Sequence, residues 1–170
     1  MNKKRITGVS LTLFLALLIM VTPVFAGTPH IAKAKATGPD DAGNLTVNFS
    51  VSGVGAYNWT YVGISGDSEA YYACKPAEGN FLPGIIPERV STSIYIGIEL
   101  TPTKGSVEGS SIIPPPGTDL QCEAGMVAIL ALITYSNIML STTYYGSEWP
   151  MFDTKSIRGT FSATYYGYTP

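Results

Sequence analysis

Leu45, Val47, Phe49 and Val51 alternate with Thr46, Asn48 and Ser50, and a period of two sends alternate side chains to opposite faces of an extended strand. This segment therefore belongs in a sheet with one face on an apolar core. Arg89 to Leu100 repeats the pattern, with Val90, Thr92, Ile94, Ile96 and Ile98 on one face. Ile31 to Thr37 alternates too, and Gly38 to Asn44 is a run of turn residues between it and Leu45. Tyr57 to Ile64 and Glu69 to Lys75 read as two further strands joined by a turn at Ser65 to Ser68. Pro76 to Pro87 holds three prolines and two glycines, which remove ladder donors and mark a loop. Thr101 to Ser111 reads as a polar connection, and Pro114 to Gly117 as a stiff polyproline-like connector.

Met126 to Leu140 is the most apolar stretch beyond the N-terminal region, and both a helix and a strand buried on two faces compete for it. Val127, Ile129, Ala131 and Ile133 share one strand face with Ala128, Leu130 and Leu132 opposite, which favours the strand. Tyr135-Ser136-Asn137 then predicts a bend into a further strand, Ile138 to Tyr145, and Ile157 to Tyr168 supplies the last unit. Charged residues make up only 13% of the chain; its Tyr, Thr, Ser, Gly and Val suit half-buried strands. The expected fold is all-β, a sandwich of about seven to nine strands. Tyr-rich, charge-poor strands also suggest a small outer-membrane barrel, but Pro170 is not the usual aromatic terminus and a disulfide is atypical there.

The first 26 residues set the compartment. Lys3, Lys4 and Arg5 precede an apolar run from Val9 to Val21, and Val24-Phe25-Ala26 precede Gly27. That order is a secretory signal peptide, so residues 27–170 are expected to form a single exported domain. A lipid-anchored form needs a cysteine that residues 1–30 lack, and a pilin-type leader needs an acidic residue where Leu13 stands. The run is also shorter than the ~20 residues of a membrane span, so no stable membrane insertion is expected after cleavage. Losing three cations leaves seven Lys and Arg against twelve Asp and Glu, a net charge near −5. No basic stretch survives to bind nucleic acid or anionic lipid.

Cys74 and Cys122 are the only cysteines, both in the exported part. In an oxidising compartment an isolated pair most simply forms one disulfide. The alternatives are two buried thiols, or a metal site that would have only His30 as a histidine. No metal or cofactor is expected.

The run C-K-P-A-E-G-N-F-L-P-G, Cys74 to Gly84, resembles the C-x-N-x-G-G-N-x-x-P-G signature of a family of small secreted proteins, mostly from filamentous bacteria, with no assigned activity. Cys74, Gly79, Asn80, Pro83 and Gly84 match it, whereas Pro76 and Glu78 depart from it. Cys122, Gly125, Tyr135, Ile138 and Leu140 match the family's second cysteine strand, and the similarity spans roughly Val47 to Gly146. The resemblance implies an immunoglobulin-like sandwich with this disulfide, and supplies no catalytic residue.

Catalysis needs a positioned acid, base or nucleophile. With His30 the sole histidine, near the new N-terminus, a Ser-His-Asp or Cys-His arrangement has no support. The candidate carboxylate pairs are Asp40/Asp41, Asp67/Glu69 and Glu148/Asp153, all in turn-like surroundings where solvated acids are common. Asp40, Asp41 and Asn44, or Asp67 and Glu69, are candidate Ca²⁺ ligands without a full calcium-loop spacing. The chain is therefore expected not to be an enzyme.

Aromatic residues are the stronger lead. Tyr57, Trp59 and Tyr61 lie at alternate positions and share one strand face, while Tyr71-Tyr72, Tyr144-Tyr145 and Tyr165-Tyr166 place one ring on each face. Such rings either fill the core, the outcome expected here for Trp59, or form a platform for a sugar or a protein surface. The sequons at Asn44 and Asn58 matter only in a host that glycosylates exported proteins. The sequence thus predicts a secreted or cell-envelope module that binds a protein or envelope partner through a sheet face or edge. Carbohydrate binding on Tyr57, Trp59 and Tyr61 is the alternative.

Overall fold

A computed structural model describes residues 29–55, 59–82, 84–145 and 150–168; the expected signal peptide, residues 1–26, lies outside them. The alternating segments form strands β1 (His30–Thr37), β2 (Leu45–Ser52), β3 (Thr60–Pro76), β4 (Glu88–Leu100), β5 (Ser106–Ile113), β6 (Met126–Tyr145), β7 (Pro150–Ser156) and β8 (Phe161–Thr164). They build two sheets, β1-β2-β5 and β4-β3-β6-β7, with β8 beside β6. All pairings are antiparallel. This order is that of an immunoglobulin-like sandwich, A-B-E on one sheet and C′-C-F-G on the other. The all-β expectation and the strand reading of the Met126 region hold.

The core lies where alternation places it. Leu45, Val47, Phe49 and Val51 of β2 face Val62 and Ile64 of β3 and Ile133 and Leu140 of β6 in one buried cluster. At the edge of the smaller sheet, Phe49 pairs with Gly109 of β5. A β-carbon on Gly109 would come within 2.5 Å of the Phe49 ring, so the glycine leaves room for it.

Ser65 to Ser68 is not a turn. β3 runs unbroken for 17 residues, in continuous register with β4 from Thr60↔Leu100 to Tyr72↔Glu88. The turn residues instead mark a bulge where the β3–β6 register shifts between Ser65 and Asp67. A side chain on Gly66 would meet Ile138 at 2.6 Å. Across from it Asn137 has φ 55°, and its amide donates to Asp67 Oδ2 at 2.8 Å. The predicted turn and the predicted Tyr135–Asn137 bend are thus one feature, a place where two long neighbouring strands bend together.

Two strands were not foreseen. β5 lies partly in the segment read as a polar connection, because Gly109 and Ser111 interrupt its apolar face. β7 begins at Pro150, and its inward positions include Asp153 and Lys155, which pair with Thr142 and Leu140. These two side chains reach across to the other sheet. Asp153 Oδ2 accepts the Ile31 N–H at 2.6 Å, while Lys155 Nζ donates to the carbonyls of Ile31 and Ala32 at 3.2 and 3.1 Å. They satisfy β1 where its register shifts, between Ile31 and Lys33. Charges turned inward on an edge strand also make that edge a poor template for another chain.

The Cys74–Cys122 disulfide joins β3 to the segment before β6, with Cα atoms 5.6 Å apart. That segment crosses the end of the sandwich: Pro116 O accepts the Tyr72 hydroxyl at 2.5 Å, and Leu120 packs on the core. Among the described residues no helix is long and apolar enough to cross a membrane.

Candidate binding face

The outward side chains of β3 are Tyr61, Gly63, Ser65, Asp67, Glu69 and Tyr71, and the strand registers extend each across the larger sheet. Tyr61 stands in a row with Glu99 of β4, Thr143 of β6 and Phe152 of β7; Gly63 with Gly97, Ser141 and Thr154; Ser65 with Tyr95, Met139 and Ser156. The middle row is small residues between two aromatic-bearing rows. The Tyr61 ring leans over Gly97, where an added β-carbon would meet its hydroxyl at 1.8 Å. That hydroxyl lies 3.1 Å from the Tyr95 hydroxyl, and this hydrogen bond is the main reason the Tyr61 phenol titrates above its ordinary value.

Tyr95 is 74% exposed, Phe152 69% and Trp59 44%. The expectation that Trp59 fills the core is therefore corrected: the apolar face that opposes β2 comes from the alternate residues Val62 and Ile64, and Trp59 stands on the other parity with Tyr61. Tyr57 lies outside the described residues. Elsewhere the paired tyrosines divide between faces as expected, with Tyr72 buried and Tyr165 packed on the core while Tyr166 is exposed. The side chains of Tyr144 and Tyr145 lie outside the described set. Trp59→Ala is expected to leave the melting temperature close to that of the parent, far from the ~3–5 kcal/mol lost on deleting a buried large ring. A thermal melt decides it.

The sequence missed Tyr95, Met139 and Phe152. Tyr95 was legible, since it holds the opposite parity to Ile94, Ile96 and Ile98; Phe152 was not, because β7 itself was hidden.

The candidate carboxylates hold structure. Asp40 Oδ1 accepts the backbone N–H groups of Ala42 and Asn44, and its Oδ2 accepts the Asn44 side-chain amide. The Asn44 bonds hold its carboxyl below the usual range; Asp41 is not part of this set. Glu69 bonds Arg89 and the Tyr71 hydroxyl, Arg89 foremost in lowering its pKa, while Asp67 bonds Asn137. Asp153 serves Ile31; Glu148 lies outside the described residues. Members of the candidate calcium sets are engaged within the protein, Asp40 with Asn44, Asp67 with Asn137 and Glu69 with Arg89, and among the described residues no group of three or more His, Cys, Asp or Glu is placed to hold a metal ion.

The Cys74–Gly84 run is also structural. Lys75 Nζ donates to the carbonyls of Pro76 and Gly79 at 3.0 and 2.9 Å and lies 5.2 Å from the centroid of the Tyr166 ring. Phe81 meets Tyr166 and Tyr168 edge-on, with centroids 6.5 and 5.9 Å apart. The run thereby clamps the segment after β8 onto the sheet. Compared with protein-family models and with curated proteins, the chain matches none.

Proposed function

We propose that this chain is a secreted, non-enzymatic module that binds a protein or cell-envelope partner through the outer face of the β4-β3-β6-β7 sheet. The observation that carries the reading is the set of exposed rings on one sheet face, Trp59, Tyr95 and Phe152, flanking an uncharged row of small residues, Gly63, Gly97, Ser141 and Thr154. Large rings on a rigid sheet bury much area at little conformational cost, as binding surfaces require. The disulfide fits an oxidising compartment, and the leader at residues 1–26 supports export. The half-exposed Trp59 and the hydroxyls of Tyr61 and Tyr95 favour a second reading, a polysaccharide stacked on the same rings.

One set of variants separates the two. Tyr95→Ala and Phe152→Ala are expected to weaken capture of an envelope protein from the producing cells while leaving the fold intact. Glycan binding instead predicts that Trp59→Ala and Tyr95→Ala abolish retention on envelope polysaccharide and that Phe152→Ala matters less. Full retention of every partner by all three variants overturns both readings.

A further inference from the structure

The two sides of the sandwich differ. On one, Asp153 and Lys155 satisfy β1. On the other, β4 ends its sheet, with β3 as its only paired strand among the described residues, and its 13 residues contain no proline, no lysine and no bulge against β3. Between Arg89 and Glu99 the strand carries no charge at all.

We propose that β4 pairs antiparallel with β4 of a second copy of this chain, about a two-fold axis through Ile94, merging the two larger sheets. The strand is self-complementary in that register. A two-fold antiparallel pair centred on Ile94 sets each residue opposite its mirror position about 94, so Arg89 faces Glu99 of the partner copy, and Glu99 faces Arg89. The same register sets Val90 opposite Ile98 and Thr92 opposite Ile96 on the inward face. Shifting by two residues keeps the faces but separates both charge pairs. Arg89 is 61% exposed at its side chain even while bonded to Glu69, and its five-donor guanidinium has N–H groups left for a second carboxylate. Glu99 is exposed. Charge complementarity and apolar alignment thus select one register, and selecting a register is what an edge needs to form a specific pair. The pairing uses the strand edge and stands independently of what the outer face binds.

Sedimentation of the protein as its cells produce it, disulfide intact, tests this. The parent is expected to be a dimer at high-micromolar concentration. Arg89→Glu alone and Glu99→Arg alone each set like charges opposite one another twice and are expected to weaken association by at least about tenfold. Mixing the two variants restores opposite charges at both positions and is expected to regenerate a dimer containing one chain of each. Because Arg89→Glu also loses its Glu69 partner, its fold is checked by melting, and Glu99→Arg decides the matter if that variant fails to fold. A parent that stays monomeric, or a dimer that survives Glu99→Arg, overturns the proposal; so does a mixture of two folded variants that does not re-associate.

Discussion

Replacing Cys74 and Cys122 with alanine is expected to lower the melting temperature by roughly 10–20 °C. The bond closes a loop with a sequence separation of 48, and removing it returns about 4 kcal/mol of chain entropy to the unfolded state. In a domain stabilised by only about 5–15 kcal/mol this is a large fraction. The loss has a local route as well: without the link, the Pro114–Gly125 crossing is held at its middle by the Tyr72–Pro116 and Thr118–Glu88 hydrogen bonds and by Leu120 on the core. Thiol titration of the native protein is expected to find no reactive cysteine, and two per chain would refute the bond.

The second large effect belongs to Tyr135. Its ring is fully buried, and its hydroxyl lies 2.8 Å from Gly43 O and 3.1 Å from Ile113 O. One proton serves two carbonyls, tying β6 to the turn before β2 and to the last residue of β5. Tyr135→Phe strips that donor and is expected to cost about 1–3 kcal/mol; Tyr135→Ala also opens a cavity and is expected to cost about 3–5 kcal/mol. Denaturant unfolding of the two variants separates the hydroxyl from the ring.

Burial pushes the Tyr135 phenol well above its ordinary value of 10.0, and burial raises Tyr72 and Tyr165 in the same direction. The folded state therefore holds these groups protonated where the unfolded chain ionises. Their stabilising contribution is complete below about pH 10 and declines as pH rises from there through the folded values. Melting temperature against pH should fall above that point, and less steeply in Tyr135→Phe.

Much of this fold was legible because burial on one face leaves a period of two in the sequence. β2 and β4 show it plainly, since the inward positions Leu45 to Val51 and Val90 to Leu100 are apolar or Thr. β5 and β7 escaped for opposite reasons. In β5 two inward positions are small, Gly109 because the Phe49 ring takes up its space and Ser111 opposite Val47; in β7 they carry Asp153 and Lys155 because their partners are backbone groups of β1. Neither condition is visible without knowing the neighbouring strand. The predicted Ser65–Ser68 turn has the same origin: local chemistry marks a bend, and only the pairing of β3 with β4 and β6 shows that the strand continues through it as a bulge. At the binding face, Tyr61 and Trp59 were found by parity, but which parity faces out depends on β2 needing Val62 and Ile64.

The inward charges on β7 also bear on how large an assembly can grow. A sandwich with bare edges on both sides could add copies end to end without limit, since each new molecule would present a fresh edge to the next. Here Asp153 and Lys155 occupy the far side by serving β1 within the same chain. Growth through β4 about a two-fold axis consumes that edge of both partners at once, and the remaining outer edge of the merged larger sheet on either side is the latched β7. Association by this route stops at two and yields a closed particle rather than a filament.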